Sequence, residues 1–229
     1  KTVFQEFVNS GNIPNLLLTG TAGVGKTTVA IAMCEELNLD YLFINSSDER
    51  GIDTLRNKIK GYASTFSFEG KRKVIILDEA DYITPEAQAA LRGAIEEFSN
   101  NCTFIFTCNF KARLIEAIHS RCSVIDFTLQ TEEKPKMASA FFNRLSEILK
   151  LENVAYDKAA LIEIIKKFFP DYRRTMNELQ RFSKNGTIDA SVIAQVSLVK
   201  SIDDLVKSLK EKNDALHIRC HFFRQNSHC

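Results

Sequence analysis

The chain has 229 residues, 45% of them hydrophobic, enough to bury the core of one medium domain or of a domain with a small companion. A formal net charge of +1 excludes wholesale electrostatic attraction to nucleic acid, so any DNA contact must use a local stripe of basic residues. The apolar runs are far shorter than the roughly 20 residues a membrane span needs, and no basic-then-apolar secretory leader opens the sequence, which begins at Lys1.

In chain order, residues 16–19 (LLLT) form a short apolar run that ends in a glycine-rich loop. A helical pattern follows from Lys26 to about Leu37, and Tyr41 to Ile44 reads as the next strand. Ile52, Leu55, Ile59 and Tyr62 recur at helical spacing, and Val74 to Leu77 is another all-apolar strand. Thr84-Pro85 opens a helix, threonine as the N-cap and proline at the first position. Phe104 to Cys108 and Val124 to Phe127 supply two more strands. These strands are continuous apolar runs rather than alternating ones, which is how strands read when both faces of a parallel sheet are covered. Strands alternate with helices, so residues 1–128 are expected to form a doubly wound α/β domain.

After Thr131 strand signals cease. Met137, Phe141, Leu145 and Ile148 mark one helix; Leu161, Ile162, Ile165 and Phe168 mark a second, opened by Asp157 and ended by Pro170. A third is expected from about Tyr172 to Phe182 and a fourth after Asp189, making residues 129–200 a small all-helical domain. Residues 201–229 read as a tail, in which His217, Cys220, His221, His228 and Cys229 crowd the end. Those ligand types permit a metal, but their spacing matches no zinc pattern, so the tail reads as frayed or foreign sequence. None of the six cysteines forms a C-x-x-C pair; Cys34, Cys102, Cys108 and Cys122 sit among apolar residues and are expected as buried thiols of a reducing, cytosolic protein.

Gly20 to Thr27 (GTAGVGKT) fits G-x-x-x-x-G-K-[ST]. Glycines let the backbone wrap a phosphate with its amides turned inward, and the following helix adds its positive end. Lys26 would neutralise the β- and γ-phosphates of ATP, and the Thr27 hydroxyl would coordinate Mg²⁺. Val74 to Glu79 (VIILDE) is the expected complement. The apolar strand is buried and leaves Asp78 at its C-terminal end, where ligands bind in such sheets. Asp78 would hold Mg²⁺ and Glu79 would orient the attacking water. Asn109 closes the strand Phe104 to Cys108 and can reach the γ-phosphate or that water. Arg121, in Ser120-Arg121-Cys122, reads either as a surface arginine or as a finger for a neighbouring subunit's γ-phosphate.

In this order the pieces resemble AAA+ ATPases of the clamp-loader group, a likeness that covers the chain to about residue 210. Residues 45–53 (NSSDERGID), 56–60 (RNKIK), 87–92 (AQAALR) and 120–122 (SRC) are similar to replication factor C small subunits. Residues 169–179 (FPDYRRTMNEL) and 183–189 (SKNGTID) are similar to the large subunit of T-even-type bacteriophage clamp loaders. The resemblance implies that Gly23, Val24, Gly25, Lys26, Thr27 and Thr28 grip the phosphates, that Asn109 is sensor 1, Arg121 the trans-acting finger and Arg173 the sensor 2 arginine of a helical lid. It implies that Arg50 restrains the catalytic glutamate until DNA arrives, and that Arg56, Lys60 and Arg92 belong to the DNA-facing region. Implied partners are a sliding clamp, a small clamp-loader subunit, further copies of the chain and primer-template DNA, in the cytoplasm of a bacterial host.

Two departures stand out. Ala22 replaces a proline common in the family's loop, with little effect expected. The family's adenine-contacting Tyr-Arg-Pro segment is not seen before Lys1, and residues 201–229 cover only the start of the collar that assembles the ring. Residues 78–81 (DEAD) also spell a helicase signature, but a second RecA-like domain is not read here. A helicase loader or branch-migration ATPase is disfavoured by the Ser-Arg-Cys motif, and a non-hydrolysing scaffold by the retention of Lys26, Asp78, Glu79 and Arg173.

Overall fold

A computed structural model describes residues 2–65 and 70–188. The chain divides into two compact units between Gln130 and Thr131. The expected fourth lid helix and the residues 201–229 assigned to a tail, with its histidines and cysteines, lie outside the described residues.

The first unit is built on a five-stranded sheet of β1 (Leu16–Thr19), β2 (Tyr41–Asn45), β3 (Lys73–Asp78), β4 (Cys102–Cys108) and β5 (Ser123–Asp126), in the order β2-β3-β4-β1-β5. Every pairing is parallel, so all five strands point their C-terminal ends toward one edge. The helices between them are α1 (Thr2–Ser10), α2 (Lys26–Glu36), α3 (Ile52–Ala63), α4 (Pro85–Glu97) and the single turn α5 (Glu116–His119).

Alternation along the strands sorts the core into two layers. Leu16, Leu18, Val74, Ile76 and Ile105 pack with Ala30, Met33 and Cys34 of α2. Leu17, Ile75, Leu77, Phe104 and Phe106 face the other way, onto Leu55 and Ile59 of α3 and Leu91 and Ile95 of α4. Each fully buried leucine, isoleucine or phenylalanine contributes about 1.5–3 kcal/mol of transfer free energy. β1, β3 and β4 are covered on both faces, as their apolar runs predict. The edge strands are not: Tyr41 and Phe43 of β2 and Val124 of β5 stay exposed, because an edge strand lies under the rim of the helical layers. Helix α1 was not foreseen. Its Phe4, Phe7 and Val8 pack on the α2 layer, and the Phe4 ring lies 5.7 Å from that of Phe127. Thr84 caps α4 through its Oγ1, which accepts from the Ala87 amide at 3.4 Å, with Pro85 opening the helix.

The second unit holds α6 (Lys134–Leu151), α7 (Lys158–Phe168) and α8 (Tyr172–Phe182). Asp157 and Asp171 cap α7 and α8, accepting from the Ala159 and Arg174 amides at 3.2 and 2.8 Å. The buried stripes differ in register from the sequence reading. Leu149 rather than Ile148 joins Leu145 in the core, and Ile164 is buried while Ile162 is 40% exposed. Each helix has apolar residues on neighbouring positions, so periodicity left the buried angle open by up to 100°. Beyond the helices, two-residue strands β6 (Ala155–Tyr156) and β7 (Thr187–Ile188) pair in parallel, an addition to the all-helical expectation too short to leave an apolar run.

Candidate nucleotide site

The loop after β1 turns on glycines. Gly20 has φ +144°, and a Cβ there would lie 3.0 Å from that of Phe127, so only glycine fits against the strand leading from β5. Gly25, at φ +93°, is the residue before α2, and the first amides of that helix have no intrahelical acceptors. They converge with the positive helix end on the position a phosphate would take. Lys26, the first residue of α2, is buried, and its Nζ donates to the Gly20 and Thr21 carbonyls at 2.8 Å each and to Asn109 Oδ1 at 2.9 Å. Gly23 and Val24 lie in the loop and Thr28 in the first turn of α2.

The end of β3 supplies the acid. Asp78 Oδ1 accepts from Thr27 Oγ1 at 2.5 Å and from Thr107 Oγ1 at 2.7 Å. Thr107 Oγ1 in turn accepts from the Glu79 amide at 3.1 Å. Thr107 was missed in the sequence; it is one of two threonines in the fully buried strand CTFIFTC, and nothing local sets it apart from Thr103. Glu79 has φ +53°, a left-handed conformation costly for a residue with a side chain and characteristic of functional turns. The Thr27 hydroxyl and the Asp78 carboxylate are hard oxygen donors side by side, a set that fits a magnesium ion. The structure therefore brings Lys26, Thr27, Asp78, Glu79 and Asn109 to one end of the sheet in two hydrogen-bonded sets, Lys26 with Asn109 and Thr27 with Asp78, Thr107 and the Glu79 amide.

A second missed residue is Gln88 on α4. It is buried, its Nε2 donates to Ile83 O at 3.0 Å and Arg113 O at 3.1 Å, and its Oε1 accepts from the Ile115 amide at 2.8 Å. Gln88 thereby ties α4 to the segment that leads from Asn109 to Arg121.

Arg121 stands apart from that cluster. Its guanidinium is paired with Glu96 near the end of α4, with Nε 2.9 Å from Glu96 Oε1, and one Nη donates to the Ala117 carbonyl at 2.8 Å. Hydrogen bonding from Arg121, then its charge, holds the Glu96 carboxyl below the usual range. Arg50 donates from Nε to Ser47 O at 2.6 Å and lies over the Tyr82 ring at 5.4 Å; among the described residues it makes no bond to Glu79. Arg56, Lys60 and Arg92 are exposed. Arg56 and Lys60 line a groove of about 530 Å³ between α3 and α4, together with Glu86 and Glu97. Arg173 is exposed in the first turn of α8, in the second unit.

Of the four cysteines foreseen as buried thiols, Cys34, Cys102 and Cys108 are buried and Cys122 is partly so. Burial, and for Cys34 the neighbouring Glu35, pushes Cys34 and Cys122 up to about 12.

With the phosphate loop on β1 and the acidic pair on β3, the first unit is a P-loop ATPase of the AAA+ class. The family model described as ATPase family associated with various cellular activities matches residues 16–129. A second, described as the sliding-clamp-loader large subunit AAA+ ATPase lid domain, matches residues 133–194. The sliding-clamp-loader large subunit of Enterobacteria phage T4 is 39% identical over 218 residues, covering 93% of this chain and 68% of that protein. The same subunit of Escherichia phage RB69 is 39% identical, with 92% and 67% covered. The replication factor C small subunit of Methanocella arvoryzae is 39% identical, with 88% and 64% covered. The chain belongs to the sliding-clamp-loader family of AAA+ ATPases, and it spans about two thirds of the length of these relatives. The Thermotoga maritima RuvB Holliday junction branch migration motor superposes with a TM-score of 0.64 over 86% of this chain and 66% of its own, at 18% identity, a likeness of fold alone.

Proposed function

We propose that this chain is the ATP-hydrolysing motor subunit of a loader that opens a sliding clamp and places it on primer-template DNA. The observation that carries the reading is the pair of hydrogen-bonded sets Lys26–Asn109 and Thr27–Asp78–Thr107, side by side at the C-terminal edge of the sheet.

The ATP phosphates lie along the amides of residues 23–28, which donate to their oxygens. Lys26 exchanges its bonds to the Gly20 and Thr21 carbonyls for the β- and γ-phosphates, and Asn109 follows as a contact to the γ-phosphate or the water beside it. Thr27 and Asp78 hold Mg²⁺, which when bound screens the charge on the transferring phosphoryl group. Glu79 accepts a hydrogen bond from the attacking water and orients it in line. Arg121 serves the site of a neighbouring copy, and Arg173 reaches the nucleotide from the lid. Its pairing with Glu96 within its own chain supports a role for Arg121 away from the cis phosphates.

Partners in this reading are the clamp, a small loader subunit, other copies of the chain and DNA, in the cytoplasm of a bacterial host. Arg56, Lys60 and Arg92 supply the local basic stripe toward DNA that a net charge of +1 demands. Arg50, seated on Tyr82 three residues beyond Glu79, is the switch that DNA contact would move. Glu79→Gln tests the core of the proposal: ATP turnover by the assembled loader with clamp and primer-template DNA should fall about 100-fold or more while nucleotide affinity is kept. Turnover equal to wild type would remove Glu79 from the mechanism, and a loader that DNA does not stimulate would remove clamp loading.

A further inference from the structure

We infer that Asp81 is a positioning residue that holds the turn bearing Asn109 in register with Lys26, an inference that rests on the reading of Asn109 as a γ-phosphate contact. Asp81 closes the tetrapeptide Asp78-Glu79-Ala80-Asp81, whose first two acids the proposed hydrolysis uses and whose last it does not. Asp81 is only 6% exposed. A buried carboxylate is costly unless its oxygens are satisfied. Here Oδ1 accepts from the Asn109 amide at 3.4 Å and Oδ2 from the Phe110 amide at 3.3 Å.

The two aspartates of the tetrapeptide thus serve different purposes. The left-handed Glu79 reverses the chain between them, followed by the tight turn Ala80–Tyr82. Asp78 gathers the hydroxyls of Thr27 and Thr107. Asp81 clamps two successive amides as β4 ends, where the chain must leave the sheet and loses its ladder partners. Asn109 Oδ1 is then carried to 2.9 Å from Lys26 Nζ. Two long hydrogen bonds on one backbone turn fix a side chain on which the chemistry depends, and a carboxylate suits the task because both of its oxygens only accept. An asparagine in its place would turn an NH₂ group toward one of the two donors.

The test compares wild type, Asp81→Asn, Asn109→Ala and the double variant in the assembled loader. ATPase kinetics are measured alongside hydrogen exchange at the amides of Asn109 and Phe110. The expected result for D81N is loss of protection at one of those two amides with the rest of β4 unchanged, and a kcat about 100-fold lower at nearly constant KM. The double variant should be no slower than N109A alone, since both act through one group. Retained protection at both amides, a wild-type rate in D81N beside a slow N109A, or losses that add in the double variant would each overturn the inference. A wild-type rate in N109A would instead overturn the reading of Asn109 itself. Should D81N fail to fold, Asp81→Glu, which keeps the charge and displaces the carboxylate by one methylene, carries the same readouts.

Discussion

The two units record their sequences differently. In the first, the phosphate loop, the acidic pair and Asn109 follow the ends of buried strands, and a strand's position follows from its apolar run, so much of site and fold was read together. In the second, α6 and α7 carry more apolar residues than one face can bury, and the choice among them is made by packing. A parallel sheet constrains what lies at its edge, whereas a helical bundle constrains only which stripe faces inward.

The largest effect should come from the sheet edge. Lys26→Ala removes the group shared by the loop carbonyls and Asn109, and kcat/KM for ATP should fall about a thousand-fold in a steady-state assay. A loss no greater than that of an exposed lysine such as Lys58 would separate the sheet edge from the chemistry. The register of the lid is tested by a pair of substitutions on α7. Ile164→Ala should cost about 2–5 kcal/mol in urea unfolding, while Ile162→Ala, two residues away, should stay within about 0.5 kcal/mol. A larger cost at Ile162 than at Ile164 would show that the buried stripe is the one read from periodicity.

Thr107→Val keeps the shape of a buried residue but takes away the donor to Asp78 and the acceptor of the Glu79 amide. An unsatisfied buried amide costs about 1–3 kcal/mol, and turnover should drop about ten-fold through a looser Asp78. A variant as stable and active as wild type would remove Thr107 from the site. The smallest effect is on the cysteines. The folded thiols of Cys34 and Cys122 are raised from 9.0 to about 12, so their neutral forms favour the native state fully below pH 9. That advantage is lost as pH rises from 9 toward 12, because the unfolded chain ionises first. Iodoacetamide should therefore label both slowly at pH 8 until urea unfolds the protein; rapid labelling of the folded chain would contradict their burial.

Much of the site was legible because its chemistry demands particular residues at fixed spacing. Gly20, Gly25, Lys26 and Thr27 form a contiguous motif, and Asp78 and Glu79 follow an unmistakable strand. Thr107 and Gln88 were not legible. Each acts through one or two hydrogen bonds to groups distant in sequence, and neither residue type is unusual where it stands. Arg121 was legible as a motif, but its pairing with Glu96 was not, since 25 positions separate them. Helix α1 was missed because Phe4, Phe7 and Val8 needed the α2 layer and Phe127 to reveal what they bury.

By itself the sequence determined the phosphate loop, the acidic pair, the alternation of strands with helices and the change to helices after Thr131. All of these depend on local spacing: the period of a strand or helix, the left-handed freedom of glycine, the ending of an apolar run. Tertiary structure alone decided the strand order that sets Asn109 against Lys26, the hydroxyl of Thr107 on Asp78 and the clamp of Asp81 on the turn after β4. Those are contacts between segments 28 to 83 positions apart, and only the packing of the parallel sheet brings such segments within hydrogen-bonding distance.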